Sequence, residues 1–591
     1  MQHVIFDKND SYKIALLIKT TAFNKAKLEE HYTKPLKKLK VPSKDILAFD
    51  LIYPNPKKVP VSVQKAYLTD LLPILREQGV TLLCVADTSY FKTLTNKRKA
   101  EPHYGYVLPC ALKGFTHLKV VLVPNYQGLY YNPDLQARVD MGLKTVADYL
   151  QGNYQELGTN IIHSHKYVKT PNQVFEVLQD LKQYAQLTCD VETLSLNFWE
   201  TGIVTIGFAW DQHNGVTLWC DNYAEPNEQI RQMLKDFLYT YTGILCYHNA
   251  NFDMKIMTNT LFMKHLLDEE GKQAGIEVLT RSFHDTKLIT YLATNSCAGN
   301  NLGLKHQAHE FAGNYAVGEI EDITLLDPEQ LMEYNLVDCL STWYVFNKHY
   351  PTMIEDKQLS VYEKVLKPSV RVILQMELTG MPLNMANVKK ARKVLEKAIT
   401  KATKAINNSD IIKQFNYVLQ EQAQTKANDK LKTKVKPLSD FADVVFNPNS
   451  NPNMQQLLYD FLGLPVIDLT KGKAPATGAK TLKKLRYHVK NDEQLQLMND
   501  ITDFANADKI LGTFIVAFEK AVLKADGCYY LHGNFNIGGT VSGRLSSSKP
   551  NLQNIPSTGS EYSKIIKACF IPPKGYLFMG ADFALNNGAL V

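Results

Sequence analysis

Short apolar runs alternate with helical stretches along the first 165 residues. Positions 46–49, 80–86 and 120–123 are continuous and apolar, with the length of buried strands, and 63–77 reads as a helix between the first two. This pattern predicts a small α/β domain. From about 170 the pattern sharpens. Residues 187–192, 203–210 and 216–219 read as strands joined by short polar turns, and 228–239 as a helix. The strand at 244–247 leads into a helix from about 251. The order β-β-β-α-β-α then continues helically to about 350. One late helix has a start signal, with Asp327 as N-cap, Pro328 at the first position and Gln330 at the third. From about 356 the chain turns helical and lysine-rich. Near its end, Tyr576-Leu577-Phe578-Met579-Gly580-Ala581 reads as a buried strand delivering Asp582 at its tip.

Composition narrows this picture modestly. A chain of 591 residues is too long for one core, and three or four domains are expected. The net charge of +7 permits nucleic acid as a partner without arguing for it. Between Lys389 and Lys436 thirteen basic residues face four acidic ones, which fits either a solvated helix face or a surface tracking a phosphate backbone. The nine cysteines are scattered with no C-x-x-C pair, which argues against zinc and for a reducing, intracellular setting. No signal peptide is evident, and no apolar run approaches the roughly 20 residues a membrane span needs. A cytoplasmic protein is expected.

Candidate chemistry lies in carboxylates. Asp190 and Glu192 are two apart on a strand and share a face. Asp253 follows the 244–247 strand at its junction with a helix. Tyr334 and Asp338 are four apart on a helix and also share a face. If the three elements converge, four carboxylates and a phenol surround one spot. Such a cluster repels itself unless cations sit within it, and hard oxygen ligands suit Mg²⁺ or Mn²⁺. Two such ions about 4 Å apart can activate water at a phosphodiester. Asp285, in Phe283-His-Asp-Thr286, suits a capping or supporting role better than metal binding.

The order D-V-E on a first strand, N-x-x-F-D at a strand-to-helix junction, then Y-x-x-x-D on a helix resembles the DEDDy 3′–5′ proofreading exonucleases. The resemblance implies a ribonuclease H-like fold, two metals held by Asp190, Glu192, Asp253 and Asp338, and Tyr334 orienting the attacking water. The product would be a 5′-nucleotide released from a 3′ end.

A second stretch, Thr540-Val-Ser-Gly-Arg-Leu-Ser-Ser-Ser-Lys-Pro-Asn-Leu-Gln-Asn-Ile-Pro556, holds hydroxyls, amides and one arginine, and does not look like a core strand or helix. Donors of this kind can hydrogen-bond phosphates and the minor-groove acceptors that every base pair presents. A capped turn, with Ser546, Ser547 and Ser548 bonding local backbone, is the bland alternative. This stretch, followed by Asp582, resembles the start of the palm in family A DNA polymerases, phage members being nearest. Tyr362 to Pro368, Met376 to Met381, Phe446-Asn-Pro-Asn-Ser450 and Ile566 to Phe570 extend the resemblance over about 170–583.

An α/β multidomain protein is expected: the apolar pattern gives an N-terminal α/β domain of unassigned role over 1–165, and the resemblance implies an exonuclease domain over 170–355, a helical thumb over 356–530 and the start of a palm over 531–591. Thr540, Arg544, Asn551, Gln553 and Asn554 would contact DNA, and Asp582 with the Phe583 carbonyl would bind polymerase metals. The expected partners are primer-template DNA, single-stranded 3′ ends and, with a full palm, dNTPs. The family continues after the aspartate with a serine or glutamine and then a glutamate. This chain reads Ala584-Leu-Asn-Asn-Gly-Ala-Leu-Val591, with no fingers helix or second palm aspartate behind it. The reading is therefore the N-terminal portion of a phage-type replicative polymerase, with Mg²⁺-dependent 3′–5′ exonuclease as the activity kept in isolation. A subunit of a split polymerase completed in trans by a C-terminal fragment, and an idle DNA-binding remnant, are the alternatives.

Overall fold

The computed structural model describes residues 1–580 apart from 56–57, 134, 224, 295–300, 316–322, 430–434 and 471. Asp582, Phe583 and the tail from Ala584 lie outside the described residues, as do Lys430, Lys432 and Lys434 of the lysine-rich stretch. The chain forms two compact units, Met1–Met263 with Gln273–Val370, and Lys264–Lys272 with Arg371–Val591.

The first unit is built on two six-stranded sheets. The strands of the first are β1 (His3–Ile5), β2 (Ile14–Lys19), β3 (Ile46–Leu51), β4 (Leu82–Ala86), β5 (Val107–Pro109) and β6 (Lys119–Leu122), in the order β1-β3-β2-β4-β6-β5. The inner four run parallel, and β1 and β5 are antiparallel edges. Its central strand, β2, is absent from the sequence reading. Ile14, Leu16 and Ile18 pack on one face while Ala15 and Leu17 pack on the other, so the strand is covered on both sides. The predicted helix forms as Val61–Glu77.

The second sheet holds β7 (Ser164–Val168), β8 (Gln186–Glu192), β9 (Thr205–Ala209), β10 (Asn214–Trp219), β11 (Ile244–Tyr247) and β12 (Phe283–Asp285), in the order β12-β11-β8-β9-β10-β7. Strand β9 runs antiparallel to β8 and β10, and the others run parallel to their neighbours. Two strands depart from the predicted order. β7 adds an edge beside β10, and β12 interrupts the stretch read as helical to 350. A three-residue strand is too short to show a period of two, so only its partner β11 defines it. The 28-residue helix Pro328–Glu355 starts as its capping signal predicts, with the Asp327 carboxylate accepting from the Glu329 amide at 2.9 Å. It crosses β8, β9 and β10. Glycines on two of these strands admit it. A Cβ at Gly207 would lie 2.7 Å from Cys339 Sγ, and one at Gly215 would lie 2.6 Å from Leu336 Cδ1.

In the second unit helix Met385–Asn408 packs along helix Asp492–Ile510. Its outer face carries exposed Lys389, Lys390, Lys393, Lys397, Lys401 and Lys404. Strands β13 (Met381–Leu383), β14 (Val522–Leu523) and β15 (Tyr529–Leu531) form a small antiparallel sheet, and β16 (Asn534–Asn536) pairs with β17 (Ser546–Ser548). Ser546–Ser548 is therefore a strand. The reading of 540–556 excluded a core strand and did not anticipate this short, partly exposed one. Short serine side chains carry no apolar pattern, and the pairing with Asn534–Asn536 supplies what composition could not. The predicted buried strand at 576–581 is corrected over its described part. Residues 576–580 form no strand, and Leu577 and Met579 are 92% and 97% exposed. An apolar run becomes a buried strand only when a sheet partner and a facing layer cover it, and nothing described covers this one. No described helix is long and apolar enough to cross a membrane, and the eight described cysteines are unpaired.

Candidate active site

The site is assembled where β8 meets helix Pro328–Glu355. Alternation along β8 buries Cys189 and Val191 and turns Asp190 and Glu192 to the other face. The helix brings Tyr334 and Asp338 over that face. Two contacts lock the crossing: Thr188 Oγ1 donates to the Cys339 carbonyl at 2.9 Å, and Asn335 Nδ2 donates to Asp190 Oδ2 at 2.7 Å. The result gathers carboxylate oxygens of Asp190, Glu192 and Asp338 within 4.8 Å of one another. An all-carboxylate donor set at this spacing fits a hard dication such as Mg²⁺ or Mn²⁺.

Asp253 is placed beside this trio rather than within it. It lies in the first turn of helix Ala250–Met257, buried, with Oδ1 accepting from the Val191 amide at 3.1 Å. The turn into that helix needs a left-handed residue, and Asn249 supplies it at φ 71°. Asp285, at the end of β12, accepts from the amides of Asn249 and Ala250, both at 3.0 Å, and from Lys287 N at 2.9 Å. It thus caps two chain turns at once, the supporting role its sequence context suggested.

Burial pushes the carboxyls of Asp190, Glu192 and Asp253 well above the usual range, and neighbouring carboxylates add to the rise. Burial likewise holds the Tyr334 phenol protonated, raised further by Asp338. Three polar residues of the site escaped the sequence reading. Asn335 orients Asp190. Lys305 Nζ lies 3.1 Å from Asp338 Oδ2 and also donates to the Tyr334 hydroxyl. The Tyr315 hydroxyl donates to Asp338 Oδ1. Asn335 had a sequence signal, since it follows Tyr334 on a helix already placed. Lys305 and Tyr315 had none.

The polar stretch of the second unit forms a separate surface. Arg544, Asn551, Gln553 and Asn554 line one open concavity of about 500 Å³ with Leu545 and Ser546. Thr540 is not among the lining residues, and its hydroxyl donates to the Arg544 carbonyl at 2.7 Å. Ser547 Oγ is the internal brace, donating to Asn551 Oδ1 at 2.8 Å and accepting from the Gln553 amide at 3.2 Å. The strand that carries this hairpin is tied down by buried Glu377, whose carboxylate accepts from Phe535 N at 2.6 Å.

Comparison with known proteins gives two regional matches. Residues 187–350 match the RNase H superfamily, and residues 386–585 match DNA polymerase family A. The chain is 26% identical over 430 residues to DNA polymerase I of Synechocystis sp., covering 71% of this chain and 38% of that protein. It is 24% identical over 477 residues to the DNA polymerase of Escherichia phage T5, covering 77% of this chain and 50% of that protein. It is 30% identical over 224 residues to DNA polymerase I of Caldicellulosiruptor bescii, covering 38% and 21% respectively. The chain spans half or less of the length of each of these relatives.

Proposed function

From a chain that joins an RNase H-superfamily domain to a family A DNA polymerase region, we propose a metal-dependent 3′–5′ exonuclease coupled to the primer-template-binding part of a replicative DNA polymerase of phage type. The observation that carries the exonuclease reading is the meeting of Asp190, Glu192 and Asp338 within 4.8 Å, with Tyr334 one helical turn before Asp338. In this reading the working divisions are an N-terminal α/β domain over 1–165, the exonuclease over 170–355, a thumb over 356–530 and palm elements from 531.

Asp190, Glu192 and Asp338 would hold Mg²⁺, with Asp253 as the fourth carboxylate beside them. When bound, the ion supplies a lowered water pKa and charge neutralisation at the phosphodiester. The protein's own groups do the rest. Asn335 holds the Asp190 carboxylate toward the trio. Tyr334 stays protonated, and its hydroxyl, which accepts from Lys305 Nζ, would orient the attacking water. Asp253, anchored to the Val191 amide, fixes the strand beneath the site.

Arg544, Asn551, Gln553 and Asn554 share a concavity suited to phosphates and minor-groove acceptors, and the lysine face of helix Met385–Asn408 suits a phosphate backbone. In the same reading Thr540 contacts DNA and Asp582 holds the polymerase metal. The deciding experiment is digestion of an end-labelled single strand by the purified chain with Mg²⁺, beside Asp190→Ala. Shortening from the 3′ end by the unaltered protein alone is expected, and equal digestion by both proteins would reject the assignment.

A further inference from the structure

Both oxygens of Asp338 are already engaged. Oδ1 accepts from the Tyr315 hydroxyl, and Oδ2 faces the Lys305 ammonium at 3.1 Å. That ammonium also donates to the Tyr334 hydroxyl and lies 3.8 Å from the Tyr334 ring centroid and 5.0 Å from that of Tyr315. The Lys305 side chain is 38% exposed, whereas that of Asp338 is 8% exposed. A cation on a flexible stem thus reaches into a nest of carboxylates from a side open to solvent. An ammonium and a dication cannot share Asp338 Oδ2 at close range without strong repulsion.

We propose that Lys305 is a tethered counter-cation that occupies the Asp338 side of the acidic cluster in the absence of metal and must withdraw from Asp338 when metal enters. Two consequences follow from linkage. The metal and the ammonium compete, so removing the ammonium strengthens metal binding. Conversely, metal frees the ammonium toward solvent, because the coupling of two equilibria at one site is reciprocal. Lys305 is in this sense a positioning residue: it keeps Tyr334 and Asp338 side by side between catalytic cycles. The inference rests on the exonuclease reading for the presence of metal at this cluster.

The test titrates Mn²⁺ into the full chain by calorimetry, comparing the unaltered protein with Lys305→Met and Lys305→Arg. Lys305→Met is expected to bind Mn²⁺ about tenfold more tightly, within the range typical of coupled sites. Lys305→Arg is expected to stay near the unaltered protein. Equal or weaker binding by a folded Lys305→Met overturns the proposal. Should that variant fail to fold, the unaltered protein decides. Acylation of Lys305 at fixed pH, read by peptide mass spectrometry, should rise severalfold on adding Mg²⁺, and unchanged or reduced labelling overturns the proposal. If the unaltered protein neither binds Mn²⁺ nor digests a single strand, the exonuclease reading fails and this inference with it. If it does both while Lys305→Met and the labelling show no change, only the role of Lys305 is rejected.

Discussion

Replacing Gly207 by alanine places one methyl group under the helix that carries half of the site. Gly207 pairs with Asp190 across β8 and β9, and its added Cβ would lie 2.7 Å from Cys339 Sγ and 2.9 Å from Asn335 Oδ1. Ordinary contacts between such atoms are about 3.5–4.0 Å, so helix Pro328–Glu355 must lift by about 1 Å. Overpacking of this kind costs about 1–3 kcal/mol, or roughly 2–4 °C of melting temperature per kcal/mol in a domain of this size. The functional loss should exceed the loss of stability. Tyr334 and Asp338 ride the same helix, Asn335 is the clamp on Asp190, and a displacement near 1 Å in a catalytic constellation costs about 10²-fold in rate. The assay is the single-turnover digestion rate of a labelled single strand with Mg²⁺, taken with a thermal melt. Gly478→Ala is the control, because nothing lies within 4 Å of its added Cβ. Adding Cys339→Ala to Gly207→Ala removes the nearest atom and should recover part of the rate. A folded Gly207→Ala protein digesting within twofold of the unaltered rate would refute the claim that this glycine sets the helix height.

Asn335→Ala removes the donor to Asp190 Oδ2 and should cut the exonuclease rate by about tenfold or more, the equivalent of a charge-assisted hydrogen bond of ~1.5–3 kcal/mol; a change under twofold would count against the clamp. Arg231→Ala strands the buried Asp221 carboxylate, which Arg231 binds through two contacts of 2.8 and 2.7 Å, and should destabilise the first unit by about 3–5 kcal/mol in denaturant melts. Metal removal should make stability depend on pH. The raised carboxyls of Asp190, Glu192 and Asp253 keep protons in the folded protein that the unfolded chain releases near pH ~4. The contribution of these three groups to stability is therefore fully present below that value and is lost as pH rises toward their folded-state values. Saturating Mg²⁺, which binds the deprotonated groups, should flatten the fall in melts run with EDTA and with Mg²⁺, and parallel curves would contradict it.

How much of this was legible in the sequence varies by residue. Asp190, Glu192, Tyr334 and Asp338 could be picked out because spacings of two on a strand and four on a helix put them on shared faces, and the structure brings three of these carboxylates together. Asp253 was singled out with them, yet its carboxylate is turned toward the Val191 amide beside the trio. Asn335, Lys305 and Tyr315 carry no such spacing, and they matter only through what the helix and the 304–315 segment are packed against. Strand β2 is absent from the sequence reading although its first five residues, Ile14 to Ile18, are all apolar. Strands β12 and β17 could not be read, since three residues show no period and serines show no apolar face.

The sequence by itself determined the local elements: alternation on β8, the capped start at Asp327, the turn chemistry at Asn249 and the lysine face of helix Met385–Asn408. These depend on neighbours within a few residues, whose influence is written in the residue types themselves. Tertiary structure alone decided which acid stands in the cluster, which cation enters it and how closely the helix approaches the sheet. Those outcomes depend on distances between residues from about thirty positions apart, as Lys305 and Asp338, to more than a hundred, as Gly207 and Cys339, and no local pattern encodes a separation of 2.7 Å between an absent methyl and a sulfur. The run at 576–579 makes the same point in reverse: apolar residues alone do not make a buried strand until other chain segments cover them.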